Sequence, residues 1–116
     1  MLPRGYGTII YSAASAALRG RAAFAAFAAA KAGLRMVSQS FAREFGPRGI
    51  HVAHVIFDGS IEGDKIFSKI SGIGQQTGPD GLLHPDVIAD SYWCLHTQHR
   101  SAWSQELDVR AYAETF

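Results

Sequence analysis

The sequence predicts an α/β fold with about three parallel strands and covering helices. Short β-prone runs alternate with longer helical patterns, as strand–helix–strand units require. The helical pattern between the first two runs is long enough for a parallel pair with a right-handed crossover. Both runs are apolar on both faces, which is typical of central strands. Because three strands cannot give both of them two neighbours, we expect one domain, residues 1–116, that is part of a larger sheet.

The first half of the chain supplies the first strand and the longest helix. Thr8–Tyr11 is a continuous β-prone run, and the small-residue segment Ser12–Arg21 is predicted to be a loop. Phe24–Phe45 is predicted to be a helix that ends at Gly46 in a left-handed cap, because Pro47 cannot continue it. Its apolar stripe comprises Phe24, Phe27, Leu34, Phe41 and Phe45, flanked by Met36 and Val37.

The second half of the chain predicts two further strands and two helices. His51–Phe57 is an apolar strand, and Ile61–Ile70 is predicted to be a short helix. Gly72–Gly81 is rich in glycine, so we expect a mobile loop there. Pro85–Gln98 is predicted to be a helix with proline in its first turn. Glu106–Val109 is the final strand candidate.

Composition and charge exclude several classes of protein. A hydrophobic content of 47% with 18% charged residues is that of a folded chain. The net charge of +1 and the absence of a basic stripe argue against a nucleic-acid partner. No apolar run approaches the roughly 20 residues of a membrane span, and no signal-peptide core begins the chain. The single cysteine, Cys94, excludes an internal disulfide and predicts a cytoplasmic location.

The histidines do not predict a metal site. His51 and His54 are three residues apart on a predicted strand, so they point to opposite faces. His96 and His99 share a face near a helix end, with Cys94 close by, but no fourth ligand follows at a suitable spacing. We therefore expect no bound metal.

Four segments together resemble the C-terminal half of the short-chain dehydrogenase/reductase family. They are the strand and turn from Gly7 to Ser15, the run from Phe27 to Lys31, the run from Arg43 to Val52, and the turn from Phe57 to Ile61. The resemblance implies the C-terminal portion of a Rossmann-type doubly wound parallel sheet. It also implies NAD or NADP as cofactor and a small-molecule carbonyl or alcohol as substrate.

The resemblance places the family's catalytic residues at positions that have changed. In the family a tyrosine with an unperturbed pKa near ~10 transfers a proton, and a lysine one helical turn later stabilises its ionised form. Lys31 matches that lysine, but Phe27 replaces the tyrosine and Ala14 replaces the serine. Ser15 is adjacent and is the candidate to polarise a substrate carbonyl. The alternative interpretation is that Phe27 is simply a core aromatic residue.

The resemblance also assigns residues to the cofactor. Lys31 is predicted to bind the nicotinamide ribose, and Asp58, Gly59 and Ile61 to border the nicotinamide. Asp58 stands where the family has proline, so it is alternatively a turn or helix-cap residue. No glycine-rich phosphate-binding turn follows a strand in this sequence. The partial domain thus lacks the dinucleotide-binding half, and we do not expect tight cofactor binding by this chain alone.

Two hypotheses of function follow, with a third that the residues cannot separate from the second. The first is an oxidoreductase of this family with an atypical or lost active site. The second is a non-catalytic module that self-associates through the Phe24–Phe45 helix or the edge of Thr8–Tyr11. The third is a fragment of a longer gene product, in which Met1 is not the true start. A face of small residues that permits close helix contact comprises Ala25, Ala28, Ala29 and Ala32.

Overall fold

The computed structural model describes residues 1–69, 72, 78–113 and 115. Within these residues, three strands and three helices follow one another in the order βαβααβ. They are β1 Gly7–Ala14, α1 Ala25–Phe45, β2 Ile50–Asp58, α2 Asp64–Lys69, α3 Pro85–Thr97 and β3 Glu106–Arg110. The alternating α/β order predicted from the sequence is therefore confirmed.

The strands form one parallel sheet in the order β1-β2-β3. Every residue of β2 is buried, because the strand is paired on both sides and covered on both faces. In contrast, β1 pairs with β2 alone among the described residues, from Gly7 opposite Ile50 to Ala14 opposite Phe57. The prediction that both strands are central is met for β2 only, and β1 is an edge of the described sheet.

The two long helices cover opposite faces of the sheet. Ala53, Val55 and Phe57 of β2 belong to an apolar cluster that includes Leu95 of α3. The intervening residues of β2 point to the other face, because side chains alternate along a strand. There His54 meets the Glu106 carboxylate, which in turn is bound by an arginine of α1. The opposite orientation of His51 and His54 follows from this alternation, as predicted.

The ends of the elements depart from the sequence prediction in two places. The strand predicted for Thr8–Tyr11 extends to Ala14, because pairing with β2 outweighs the weak β-propensity of serine and alanine. Helix α1 continues into a short 3-10 turn through Gly46, which has φ −55° and is not the left-handed cap. The left-handed residue is Gly49, with φ 86°. The predicted mobile loop Gly72–Gly81 lies mostly outside the described residues.

The apolar stripe predicted for α1 is only partly covered, since Leu34, Phe41 and Phe45 are half-buried. Phe24 and Phe27 are 55% and 47% exposed, and Met36 and Val37 are also exposed. The fully buried residue of α1 is Ser38, whose hydroxyl donates a hydrogen bond to the Arg35 carbonyl at 2.8 Å. A small, internally satisfied side chain lets the helix pack closely on β2. The interpretation of Phe27 as a core aromatic residue is therefore wrong.

Two expected absences concern the described part of the chain. No helix in it is both long enough and apolar enough to cross a membrane. Within the same residues, histidine, cysteine, aspartate and glutamate side chains form no group of three that could hold a metal ion.

Candidate functional site

A cavity of about 140 Å³ lies at the carboxyl end of β1, next to the start of α1. Its described lining residues all lie between Ala14 and Ala28 of the sequence. Three positions named from the resemblance, Ala14, Ser15 and Phe27, therefore lie on the wall of one cavity, while Lys31 is not among its described lining residues. Among its lining residues are Ala14, Ser15, Arg19, Arg21, Phe24 and Phe27.

Lys31 lies one helical turn after Phe27 and is oriented by β1. Its Nζ atom is 5.7 Å from the centroid of the Phe27 ring, within the range of a cation–π contact. The same Nζ donates a hydrogen bond to the Ser12 carbonyl at 3.5 Å. The structure thus brings Lys31 and Phe27 together as the four-residue spacing predicts. The ammonium group meets an aromatic ring that has no proton to transfer.

Two serines near the end of β1 have different surroundings. Ser15 lines the cavity with Phe27, at the start of a 3-10 turn that follows the strand. Its hydroxyl is the one on the cavity wall that is suited to polarise a substrate oxygen, and that role stays a prediction. Ser12 is in β1, and its Oγ lies 2.5 Å from the hydroxyl of Tyr92 on α3. The Ser12 hydroxyl is therefore directed at α3, on the face of the sheet opposite α1.

Asp58 is a buried carboxylate with two arginine partners. It is the last residue of β2 and is only 5% exposed. Arg110 of β3 donates a hydrogen bond to its Oδ2 at 2.8 Å, and the Arg19 guanidinium lies 3.7 Å from the same oxygen. Asp58 is therefore neither a turn residue nor a helix cap. Since Arg19 also lines the cavity, the pair connects the end of β2 to the wall of the site.

Gly59 and Ile61 lie in the segment that follows Asp58 at the end of β2. Gly59 has φ 139°, a conformation that glycine adopts and other residues rarely do. Ile61 forms a single parallel bridge with Leu83 and is 42% exposed. Neither residue is on the wall of the Phe27 cavity, whose described lining ends at Ala28. The structure therefore separates these two predicted cofactor contacts from the cavity, and their role stays a prediction.

Below the cavity, a polar network fixes α1 to the sheet. Arg35, one turn after Lys31, donates two hydrogen bonds to the Glu106 carboxylate, at 2.8 and 2.9 Å. His54 Nδ1 lies 3.2 Å from the same carboxylate. The hydrogen bonds from Arg35 lower the pKa of Glu106, and burial lowers the pKa of His54. The network therefore holds the helix that carries Phe27 and Lys31 in one position.

The arginines of the site were not predicted from the sequence. Arg19 and Arg21 flank a glycine in the segment that was predicted only to be a loop. Two arginines so close together in a run of small residues could have indicated an anion site, but the net charge of the whole chain does not reveal them. Arg110 follows the predicted end of the last strand and is identified only by its contact with Asp58.

Comparison with known proteins gives one family match. The short chain dehydrogenase family model matches residues 1–62. No curated protein sequence matches the chain significantly.

Solved structures match over nearly the whole chain. A short-chain dehydrogenase from Rhodopseudomonas palustris is 40% identical, with a TM-score of 0.72 over 97% of this chain and 42% of its own. A short chain oxidoreductase from Pseudomonas aeruginosa PAO1, solved with NADPH and described as containing an atypical catalytic center, is 20% identical. Its TM-score is 0.75 over 95% of this chain and 47% of its own.

A third structure contains both cofactor and ligand. A 7α-hydroxysteroid dehydrogenase complexed with NADH and 7-oxo glycochenodeoxycholic acid is 25% identical, with a TM-score of 0.77 over 94% of this chain and 45% of its own. The chain thus spans less than half the length of each of these three proteins.

Proposed function

Because the chain belongs to the short-chain dehydrogenase family, we propose that it forms the substrate side of an NAD(P)-dependent oxidoreductase that works without a catalytic tyrosine. The observation that supports this is the cavity on which Ala14, Ser15 and Phe27 meet, with Lys31 one turn beyond. The expected substrate is a small-molecule carbonyl or alcohol. The arrangement has the family's geometry without the hydroxyl group that normally transfers the proton.

The residues of this chain have separate roles in the proposed reaction. The nicotinamide, when bound, supplies a hydride to a carbonyl carbon or accepts one from an alcohol. Lys31 holds the ribose through its ammonium hydrogens, and Ser15 donates a hydrogen bond to the carbonyl oxygen. The proton that the reduced oxygen needs comes from water, because the Phe27 ring carries none. Water is a poorer general acid at neutral pH than a phenol whose pKa is lowered by a neighbouring lysine, so we expect slow turnover.

The end of β2 fits the predicted cofactor contact in two respects. The backbone of Gly59, at φ 139°, has no side chain to prevent close approach of a planar group. The charge of Asp58 is balanced by Arg110 and Arg19, so a buried carboxylate there does not repel a neighbouring ring system. NAD or NADP remains open, because the residues that distinguish them belong to the family's other half. We infer that this chain alone binds either cofactor weakly.

Structures of the same fold support the choice of cofactor class. The Pseudomonas aeruginosa protein is described with NADPH, and the hydroxysteroid dehydrogenase with NADH. The first is also described as having an atypical catalytic center.

The test is to supply a complementary N-terminal half and follow NADH and NADPH oxidation with a panel of carbonyl compounds. We expect slow turnover that rises in the double variant Phe27→Tyr, Ala14→Ser and is lost in Lys31→Met. A variant of an exposed arginine far from the cavity, Arg48→Met, is the control for loss of a cation. Absence of oxidation in the wild type and in the double variant, with the added half, would contradict the proposal. The non-catalytic hypothesis would then take its place.

We further propose that copies of the chain associate through α1 or the edge of β1, in the cytoplasm. Exposed apolar side chains along α1 and the unpaired edge of β1 in the described sheet support self-association. The exposed Cys94 fits a reducing compartment. Light scattering at micromolar concentration tests the association, and a monomer at every concentration would rule it out. The apolar residues concerned are Phe24, Phe27, Met36 and Val37.

A further inference from the structure

The cavity beside Phe27 carries positive charge on a wall that is otherwise apolar except for Ser15. Its charged lining residues are Arg19 and Arg21, and among the described residues that line it none bears a carboxylate. Phe24 and Phe27 contribute aromatic surface to the same wall. Such a combination suits a ligand that has a short apolar body and an anionic end.

Arg19 is only partly engaged by its protein partner. Its guanidinium lies 3.7 Å from Asp58, while Arg110 already binds the same oxygen at 2.8 Å. The Arg19 side chain is 38% exposed. A guanidinium has five N–H donors, and a single long contact leaves several of them directed elsewhere. Arg19 can therefore bind an anion in the cavity without giving up Asp58.

Arg21 is held at the cavity by a strained turn. The Phe24 amide donates a hydrogen bond to the Arg21 carbonyl at 3.1 Å, which closes a four-residue turn. Within it Ala23 has φ 68°, a left-handed conformation that is unfavourable for alanine. Strain of this kind is concentrated at functional sites, where the surrounding structure maintains it. Here it places Arg21 and Phe24 together on the wall of the same cavity.

We propose that the cavity selects carbonyl substrates that carry an anionic group, and that Arg19 and Arg21 are the residues that bind this group. This inference rests on the proposed function and gives its substrate class. The volume of about 140 Å³ limits the bound part to a small group. Recognition by two guanidinium groups is shared by carboxylates and phosphates, and the ligand's body decides between them.

The binding test uses the 116-residue chain itself and needs no turnover. The ¹⁵N-labelled protein is titrated with 4-oxopentanoate, with its methyl ester and with inorganic phosphate, and arginine Nε–H signals are followed by NMR. We expect saturable shifts with 4-oxopentanoate and little response to the ester. Shifts with phosphate alone would assign the site to phosphorylated substrates. An equal response to the acid and the ester would overturn the proposal.

Single variants assign the effect to the two arginines. Arg19→Met and Arg21→Met are each expected to weaken 4-oxopentanoate binding about tenfold, as loss of a charge-assisted hydrogen bond does. Arg48→Met removes an exposed arginine outside the cavity and is expected to leave the binding unchanged. Arg21 is exposed, so its variant tests the proposal even if Arg19→Met fails to fold. Equal weakening in all three variants would reduce the effect to net charge and overturn the assignment.

Turnover measurements separate this inference from the proposed function. In the enzyme assembled with an N-terminal half, the two arginine variants are expected to raise KM for the keto acid about tenfold, with kcat unchanged, and to leave the neutral ketone unaffected. Hydride transfer without preference for the acid would refute the substrate class and leave the function standing. Selective binding of the acid without any hydride transfer would refute the proposed function and leave the anion site standing.

Discussion

Phe27 is the residue on which the interpretation of this chain depends. In the sequence it is one phenylalanine among several on a helical stripe, and a core position is its simplest explanation. In the structure it is 47% exposed, it lines a cavity, and it lies beside the ammonium group of Lys31. The ring is therefore not a residue of the buried core among the described residues. That Phe27 replaces a catalytic tyrosine stays a prediction from the resemblance, and its contact with Lys31 makes the prediction testable.

The first prediction concerns the environment of that position. We expect the phenol introduced by Phe27→Tyr to have a pKa below the usual value of about 10, because the Lys31 ammonium favours the phenolate. An ultraviolet difference titration against the wild type isolates the new phenol from the native tyrosines. In the double variant Phe27→Tyr, Lys31→Met, the pKa is expected to return to the ordinary range. Identical titrations in the two variants would show that Lys31 no longer acts on this position.

The second prediction concerns Gly49, which has φ 86° and faces the backbone of Gly5. A Cβ atom there would lie 2.0 Å from the Gly5 carbonyl oxygen, so the backbone must move to accept it. We expect Gly49→Ala to lower the free energy of unfolding by more than about 1 kcal/mol in urea titrations.

Gly33 is the matched control for Gly49. It lies inside α1, and a Cβ atom there would meet nothing within 4 Å. We expect Gly33→Ala to stabilise the protein by up to about 1 kcal/mol, because alanine favours the helix interior. The same substitution is thus predicted to have opposite signs at the two positions. Equal effects would contradict the backbone geometry described for Gly49.

At the scale of elements, polar contacts help to fix α1 on the sheet. Arg35 binds Glu106 of β3 through two hydrogen bonds, while Phe24 at the start of the helix is exposed. Phe27, Lys31 and Arg35 follow at four-residue intervals, so the network that anchors one also orients the others. The hydrogen bonds between Arg35 and Glu106 thus support Phe27 and Lys31 on the face of the sheet opposite α3.

The third prediction tests this anchor. We expect Arg35→Met to lower the free energy of unfolding by about 1 to 3 kcal/mol, because it leaves the Glu106 carboxylate and His54 without their cation. Urea titration measures the change. Arg48→Met, at an exposed position in the turn before β2, is expected to stay within about 0.5 kcal/mol of the wild type. A loss in both variants would show that the network has no special role.

At the scale of the whole molecule, the chain is more extended than a compact domain of its length. The radius of gyration is 16.0 Å, whereas a compact domain of this length is expected near 13 Å, on the order of 2.2·N^0.38. Among the described residues the sheet has three strands, and both outer strands, β1 and β3, have an unpaired edge. The chain also spans less than half of the three solved proteins described above. That residues 1–116 form a partial domain stays a prediction, which the extended shape motivates.

The fourth prediction is the dependence of global stability on acid. Burial lowers the pKa of His54, so the unfolded chain binds its proton first, and stability falls as the pH drops below about 6.5. The pKa of Glu106 is also lowered, so its contribution is lost at still lower pH, as the pH falls through its folded-state pKa. His84 acts in the opposite direction. A hydrogen bond to Glu62 raises its pKa, and its contribution is lost as the pH rises through that raised value.

The measurement is thermal unfolding of the wild type and His54→Leu between pH 5 and 8. Their difference reports on His54, because His84 titrates in both proteins and the lowered pKa of Glu106 places its titration below this pH range. We expect the stability of the wild type to fall relative to the variant as the pH drops below about 6.5, with a limiting slope near 1.4 kcal/mol per pH unit for one proton. Parallel pH profiles would mean that His54 is protonated as easily in the folded as in the unfolded protein.

The sequence by itself determined the fold class, the family and the Phe27–Lys31 pair. Each depends on local order or spacing: alternating strand and helix patterns, and residues one turn apart on a helix. The extent of β1 was not predictable in the same way, because the pairing of Ala14 with Phe57 depends on a strand more than forty residues later.

Only the tertiary structure decided how the site is charged and which residues are buried. Asp58 meets Arg110 of another strand and Arg19 of an irregular segment, contacts that no local pattern encodes. The exposure of Phe27 likewise depends on where α1 lies over the sheet, which Ser38 and the Arg35 network determine. Spacing along the chain specifies which side chains share a face, whereas the packing of elements determines what that face meets.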